Sequence, residues 1–425
     1  MINGFKKYTD YTDNGLKIIA LEIPHLHNAE ISCFVRMGSR YETSQDNGIS
    51  HFFEHMIFRG TKKMNQKKLA CIAESFGGSF NAFTTRDYAQ FTMQLHPQFI
   101  HQGIKIVAHA LTEPIFRDIE LEKEIILEER LSDVNTKDED INVDNLSRKL
   151  LWGNKHPLGF AIIGTPDSIR GVTKAKLASF HLNVITVENM LVVIASPHSP
   201  NKIIEEAKKY FHEIPAGKKI TPLPPPKTNS SKKIHITYED NANTELSFSF
   251  KTFPISSEKQ IPFMILRKVL DGGMSSRLYQ SLCAEKGLAY DIDTQSENFE
   301  DCGVFDITLS TSHTKVKDVI LLLFKELDKM YTKGITAEEL TRTKQMELLD
   351  MELALDSTSY LSTVYAGIEL FMPTISYKQR IECIKNISRQ TVNAIAQEVL
   401  AKENCYITIV GPIKNKKEIE KIIKI

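Results

Sequence analysis

Cysteine is scarce in this chain, with six in 425 residues (Cys33, Cys71, Cys283, Cys302, Cys383 and Cys405) and no C-x-x-C pair. A chain of this length needs no disulfide staples, so the six read as reduced thiols in a reducing compartment. An excess of either charge is also lacking, since 53 Lys and Arg face 53 Asp and Glu. Phosphate-driven binding needs a clustered excess of Lys and Arg, so a generic nucleic-acid partner is not expected. No apolar run approaches the ~18–20 residues needed to span a bilayer. The opening stretch MINGFKKYTDYTDNG has no apolar core of a secretory signal. Neither GxGxxG after a strand nor GxxxxGK[ST] occurs, which leaves nucleotide binding unsupported. These absences together predict a soluble cytoplasmic protein.

The residues present describe an ordinary globular chain, 42% hydrophobic and 25% charged, with 22 Phe and 13 Tyr to fill cores. Single cores stop growing near ~250–300 residues, so two domains are expected. The break falls at residues 214–233, IPAGKKITPLPPPKTNSSKK, where Pro222, Pro224, Pro225 and Pro226 cluster. Proline cannot sit inside a central strand or helix, and this stretch reads as a linker between residues 1–213 and 234–425. The two segments share a pattern. Ile31, Cys33 and Val35 alternate with Ser32, Phe34 and Arg36, as Leu246, Phe248 and Phe250 do with Ser247, Ser249 and Lys251. Such period-two alternation predicts strands. Long helical patterns follow at 102–111 and 118–131, and again at 317–331 and 337–355. Each segment then ends in a strand-like run, Met190–Ala195 or Cys405–Val410, and a Lys/Glu-rich helix. The expected fold is therefore α+β and duplicated.

The chemistry concentrates in NGISHFFEHMIFRGT, residues 47–61. His51 and His55 lie four apart, which on a helix puts both imidazoles on one face. That spacing suits one tetrahedral zinc at ~2.0–2.1 Å per nitrogen, with Glu54 beside it to take a proton from water. Phe52, Phe53, Met56, Ile57 and Phe58 make the helix apolar nearly all round. Polar groups buried there need partners, which a metal would supply. A third ligand is sought in EKEIILEER, where Glu122 and Glu129 stand two helical turns apart with Ile125 and Ile126 between them. On its own, such a helix reads as an exposed acidic face.

His51-Phe-Phe-Glu54-His55 followed by this E-x6-E pair resembles the inverzincin metallopeptidases, the family of pitrilysin, insulysin and the mitochondrial processing peptidase. GSRYE, GGSFNAFTTRDY, HPLGFAIIGT and DGGMSSRLYQ…GLAY resemble family segments too, and the likeness covers essentially the whole chain. The resemblance implies one zinc per chain held by His51, His55 and Glu129, with Glu122 supporting them and Glu54 as general base. It implies that Asn81, Ala82 and Phe83 lie on an active-site edge strand that binds peptide by strand addition. On the residues alone, Asn81 reads first as a turn residue after Gly77–Gly78. Each domain would be a mostly antiparallel sheet packed against helices, half of a clamshell completed by a second chain as homodimer or heterodimer.

In the second segment, LRKVLDGG (266–273) takes the place of HFFEHMIFRGT but has no histidine, so one domain alone carries metal chemistry. Tyr290 matches the family tyrosine that contacts substrate; read locally, it is equally a half-buried strand residue. Where the family has an arginine seven residues before that tyrosine, this chain has Cys283. A replacement cation would come from Arg277 or from another subunit. The alternative is a catalytically weak or structural member that works with a different partner chain.

Overall fold

Two sheets of matching topology organise the chain, which the structure, a computed structural model, describes for residues 4–226 and 232–423. The first contains β1 (Lys6–Tyr11), β2 (Lys17–Glu22), β3 (Ala29–Val35), β4 (Ser79–Thr84), β5 (Ala89–Leu95) and β6 (Met190–Ser196), in the order β1-β2-β6-β3-β5-β4. The second contains β7 (Ile234–Tyr238), β8 (Thr244–Thr252), β9 (Ile292–Asn298), β10 (Gly303–Thr311) and β11 (Cys405–Gly411), in the order β7-β11-β8-β10-β9. Removing β1 leaves the same order twice. The one parallel pair falls at the same place in both, β2 with β6 and β7 with β11. The fold is α+β, and the duplication read from alternation is present in five strands of each sheet.

Helices cover one face of the first sheet. They include α1 (Ile49–Ile57), α2 (Gln66–Ser75), α3 (Ile100–Thr112) and α4 (Ile119–Arg130). Ile31, Cys33 and Val35 of β3 point into this core with Phe91 and Met93 of β5, against Phe52, Phe53 and Met56 of α1 and Ile104 and Val107 of α3. The other face of β3 and β5 buries polar groups, among them Glu30, Ser32, Arg36 and Gln90. Buried polar groups require partners. Residues 352–374 supply them: Thr363 Oγ1 accepts from Gln90 Nε2 at 2.9 Å, and the Leu370 carbonyl accepts from Arg36 Nη2 at 2.8 Å. Glu369 takes both Lys7 and Lys17.

The second sheet repeats this arrangement. Its core face packs on α6 (Gln260–Asp271) and residues 316–333. Its other face buries Asp306 of β10, answered by Arg148 on α5 (Val143–Trp152). The guanidinium grips both Asp306 oxygens, at 3.1 and 2.7 Å, and reaches Glu297 of β9 at 2.7 Å. Leu150, Leu151 and Trp152 pack beside it on Phe299, Val304 and Tyr406.

Each compact unit thus draws on both halves of the sequence. One comprises residues up to Arg130, Phe160–Leu223 and Glu352–Thr374; the other comprises Leu131–Gly159, Pro224–Met351 and residues from Ile375 onward. Residues 131–159 and 352–374 are exchanged across the proline-rich stretch. Residues 214–226 of that stretch form no helix or strand, and residues 227–231 lie outside the described residues. Its beginning is anchored, since Ile214 is buried in the first core and the Pro215 carbonyl accepts from Val187 N at 3.1 Å.

Removing one partner of a buried ion pair leaves an uncompensated charge and costs about 3–5 kcal/mol. Arg148→Ala is therefore expected to destabilise the second unit by about that much in denaturant unfolding. A loss below about 1 kcal/mol, the range of a surface pair, would contradict this account of the sheet's covered face.

Candidate metal centre

The helix that carries the histidines is fixed at its first turn by a buried acid. Gly48 precedes α1 with φ +89°, and a Cβ there would lie 2.5 Å from the Ile163 carbonyl oxygen, so only glycine fits. With no capping side chain at Gly48, Glu42 takes over. One of its oxygens accepts from Gly48 N at 2.7 Å and Asn47 Nδ2 at 3.0 Å, and the other from Ser50 N at 2.9 Å. A carboxylate beside orphan amides at a helix N-terminus satisfies them and suits the dipole. Burial pushes the Glu42 carboxyl up, and the amide hydrogen bonds partly offset it.

Along α1, Phe52, Phe53, Met56 and Ile57 are fully buried, while His51 and His55 stand at the edge of the core with ring centroids 4.6 Å apart. Across from them, α4 turns Glu122 and Ile126 inward and leaves Ile125 exposed, so the helix twist splits the isoleucine pair. Glu129, one further turn on, reaches both imidazoles. Its two oxygens lie 3.5 Å from His51 Nε2 and 3.5 Å from His55 Nε2. Three ligand atoms, one from each residue, sit within 4.8 Å of one another.

That spacing is too long for a good hydrogen bond. Each contact, made to a different Glu129 oxygen, is close to the edge of about 3.4 Å in a tetrahedron built with zinc–ligand bonds of ~2.0–2.1 Å. Two imidazoles and a carboxylate gathered within 4.8 Å are a donor set that a divalent cation takes, so these residues fit zinc. His55 is further oriented from behind. Its Nδ1 lies 2.8 Å from Glu122 Oε1, and Arg59 Nε donates to the other Glu122 oxygen. This is the outer carboxylate that metal-binding histidines commonly use.

Charge follows the same geometry. Burial pulls the His55 imidazole down, but the Glu122 hydrogen bond and the Glu54, Glu122 and Glu129 charges outweigh it and hold it above its ordinary range. Burial raises the Glu122 carboxyl, but His55 and Arg59 bring it below the usual carboxylate range. Contact with His51 lowers Glu129 against opposing burial.

Glu54 lies on the same helix, buried, and accepts from Thr84 Oγ1 at 2.8 Å. Thr84 ends β4, the outermost strand of its sheet, which pairs with β5 on one side only. Asn81, Ala82 and Phe83 are strand residues of that edge, not turn residues. Asn81 and Phe83 are exposed, and the Asn81 side chain donates to Ser79 Oγ at 3.1 Å. Sequence reading brought His51, Glu54, His55, Glu122 and Glu129 to one place. It missed Glu42, Arg59 and Thr84, whose partners are set by tertiary contact.

The second unit holds the other expected residues. Tyr290 is 97% exposed, not a half-buried strand tyrosine, and lines an open groove of about 1210 Å³ with Asp291, Asp293 and Thr308. Arg277 is already committed: Nε and Nη2 donate to the Glu339 carboxylate at 2.6 and 2.7 Å, and Nη2 also to the Gly334 carbonyl at 2.9 Å. Burial, and then the charges of Asp291 and Asp271, push the Cys283 thiol up, which keeps it protonated and a poor nucleophile. In α6, the counterpart of α1, no histidine occurs.

Residues 17–165 match the family profile Insulinase (Peptidase family M16), and residues 171–347 match that of the Peptidase M16 inactive domain. The chain belongs to the M16 peptidase family. Among similar proteins, the uncharacterized zinc protease YmxG of Bacillus subtilis is 28% identical over 414 residues, covering 96% of this chain and 99% of that protein. An uncharacterized zinc protease of Rickettsia felis is 29% identical over 412 residues, 94% of this chain and 96% of its own. In fold, the chain resembles a protease from Helicobacter pylori (TM-score 0.86, 19% identity, 96% and 100% of the two chains). It also resembles a peptidase M16 inactive domain protein from Pseudomonas fluorescens (TM-score 0.85, 19% identity, 96% and 98%). The inactive-domain match agrees with the absence of histidine from α6.

Loss of an outer carboxylate typically costs a metal site ~10–100-fold in affinity. Glu122→Ala, with His51, His55 and Glu129 intact, is expected to weaken zinc binding by about that factor in competition with a chromophoric chelator. Unchanged affinity would show that Glu122 does not orient His55.

Proposed function

We propose that this M16 chain is a zinc-dependent endopeptidase that hydrolyses short or unfolded peptides in an enclosed chamber. The observation that carries the reading is the convergence of His51 Nε2, His55 Nε2 and the Glu129 carboxylate, with Glu54 on the same helix. His51, His55 and Glu129 would hold one zinc, leaving a coordination position open as catalytic sites require. When bound, zinc supplies Lewis acidity, which acidifies water and polarises a carbonyl. Glu54 takes the proton of the attacking water and returns it to the leaving amine, a role typically worth ~10²–10⁴-fold. The free edge of β4 binds the peptide backbone as an added strand, and Asn81, Ala82 and Phe83 border it. Main-chain pairing places few demands on sequence, which suits varied unfolded substrates. Tyr290, bare at the surface, is available to contact peptide.

A second reading follows from Arg277 and Cys283. The family's cation is replaced by a protonated thiol, and Arg277 is occupied by Glu339. In this reading the chain is a weak or structural subunit whose missing cation comes from a related partner, as half of a heterodimeric clamshell; a homodimer is the simpler assembly. Six free thiols suit a reducing compartment, and a cytoplasmic setting is proposed on that ground. No helix among the described residues is long and apolar enough to cross a membrane.

The purified chain is expected to carry about one zinc and to cleave members of a quenched peptide panel. Glu54→Gln should retain the metal and lose at least ~10²-fold in rate. Equal rates for the two proteins would reject Glu54 as the base, and activity only after adding a related chain would select the second reading.

A further inference from the structure

Among the described residues, the only hydrogen bond to the Glu54 side chain comes from Thr84, Oγ1 to Oε2 at 2.8 Å. Thr84 sits opposite Ala89 of β5, and the chain turns immediately beyond it. Thr85 N donates to the Tyr88 carbonyl at 2.8 Å, and Thr85 Oγ1 accepts from Tyr88 N at 3.1 Å. The turn is braced by the loop after β3. Gly38, at φ +135°, approaches so closely that a Cβ would lie 2.4 Å from the Thr85 carbonyl oxygen, and Arg40 N donates to the Arg86 carbonyl at 2.8 Å. The same loop holds the start of α1. Gly38 N donates to Ser50 Oγ at 2.9 Å, and Glu42 accepts from Ser50 N at 2.9 Å. Donor and acceptor therefore ride on two elements clamped by one loop, which fixes their separation through backbone.

We propose that Thr84 is a positioning residue for the Glu54 carboxylate, a role that rests on the reading of Glu54 as general base. A carboxylate turns freely about its last torsion, which is broad and two-fold. Holding Oε2 removes that freedom and leaves Oε1 for the moving proton. That proton leaves the water oxygen as the oxygen bonds to the carbonyl carbon, and it rests on Oε1. It then passes to the amine nitrogen as the C–N bond breaks, so Glu54 ends as it began. Thr84 also belongs to the strand whose free edge would pair with peptide. Substrate and base are thereby referred to one strand, and a misplacement of about 1 Å in such an arrangement costs up to ~10²-fold.

Thr84→Val keeps the branched shape and removes the donor, whereas Thr84→Ser keeps the donor. With the zinc-loaded chain and a quenched peptide, Thr84→Val is expected to lower kcat about 10–100-fold. KM should stay within about twofold, and zinc content and melting temperature should be unchanged. Thr84→Ser should restore most of kcat. Wild-type kcat in Thr84→Val overturns the proposal. So does a loss that Thr84→Ser fails to rescue, or one that tracks zinc content or melting temperature, since either marks a structural role. If the zinc-loaded wild type cleaves no peptide, the peptidase reading itself fails and takes the proposal with it.

Discussion

The Glu122 carboxylate joins the two helices on which the proposed metal donors lie. One oxygen meets His55 Nδ1 and the other takes Arg59 Nε, while two turns further along α4 Glu129 faces both imidazoles. Without that link, α1 and α4 would be related by apolar packing and the longer Glu129 contacts, and packing fixes separation better than it fixes the aim of a polar atom. The remaining supports serve the same end. Glu42 holds the first turn of α1, and the loop after β3 ties that turn to the β4–β5 hairpin.

Much of the centre was legible because its signal is local. Two histidines four apart on an apolar helix announce a shared face, whatever the rest of the chain does. Glu129 was less legible, since an acidic helix looks the same whether solvated or turned toward a metal; resemblance to a known family supplied it. Burial separates the cases afterwards, with Glu122 and Ile126 inside and Ile125 outside. Glu42, Arg59 and Thr84 lie in segments that resemble the family, but their partners carried no local signal, because each acts on a residue brought near by folding. The same limit applies to the fold. Alternation in β3 and β8 revealed sheets with two unlike faces, but nothing in a strand says which distant segment will answer its buried polar side. Residues 352–374 answer Gln90 and Arg36, and residues 131–159 answer Asp306.

The duplicated topology gives the difference between the two units a plain form. The sheet order is kept and α6 stands where α1 does, yet its polar edge carries no imidazole. Arg277 shows how a charged residue named from a motif can have another job. Its bidentate grip on Glu339 and its bond to the Gly334 carbonyl make it a local staple.

The central claim is that His51, His55 and Glu129 are the donors of one zinc. Crystals of the purified protein, measured on both sides of the zinc absorption edge, test it without reference to substrate. The account predicts a single strong anomalous peak per chain, at bonding distance from His51 Nε2, His55 Nε2 and a Glu129 oxygen, that is at ~2.0–2.2 Å. Zinc bound elsewhere with these three residues unliganded, or no peak after zinc is supplied in excess, would contradict it.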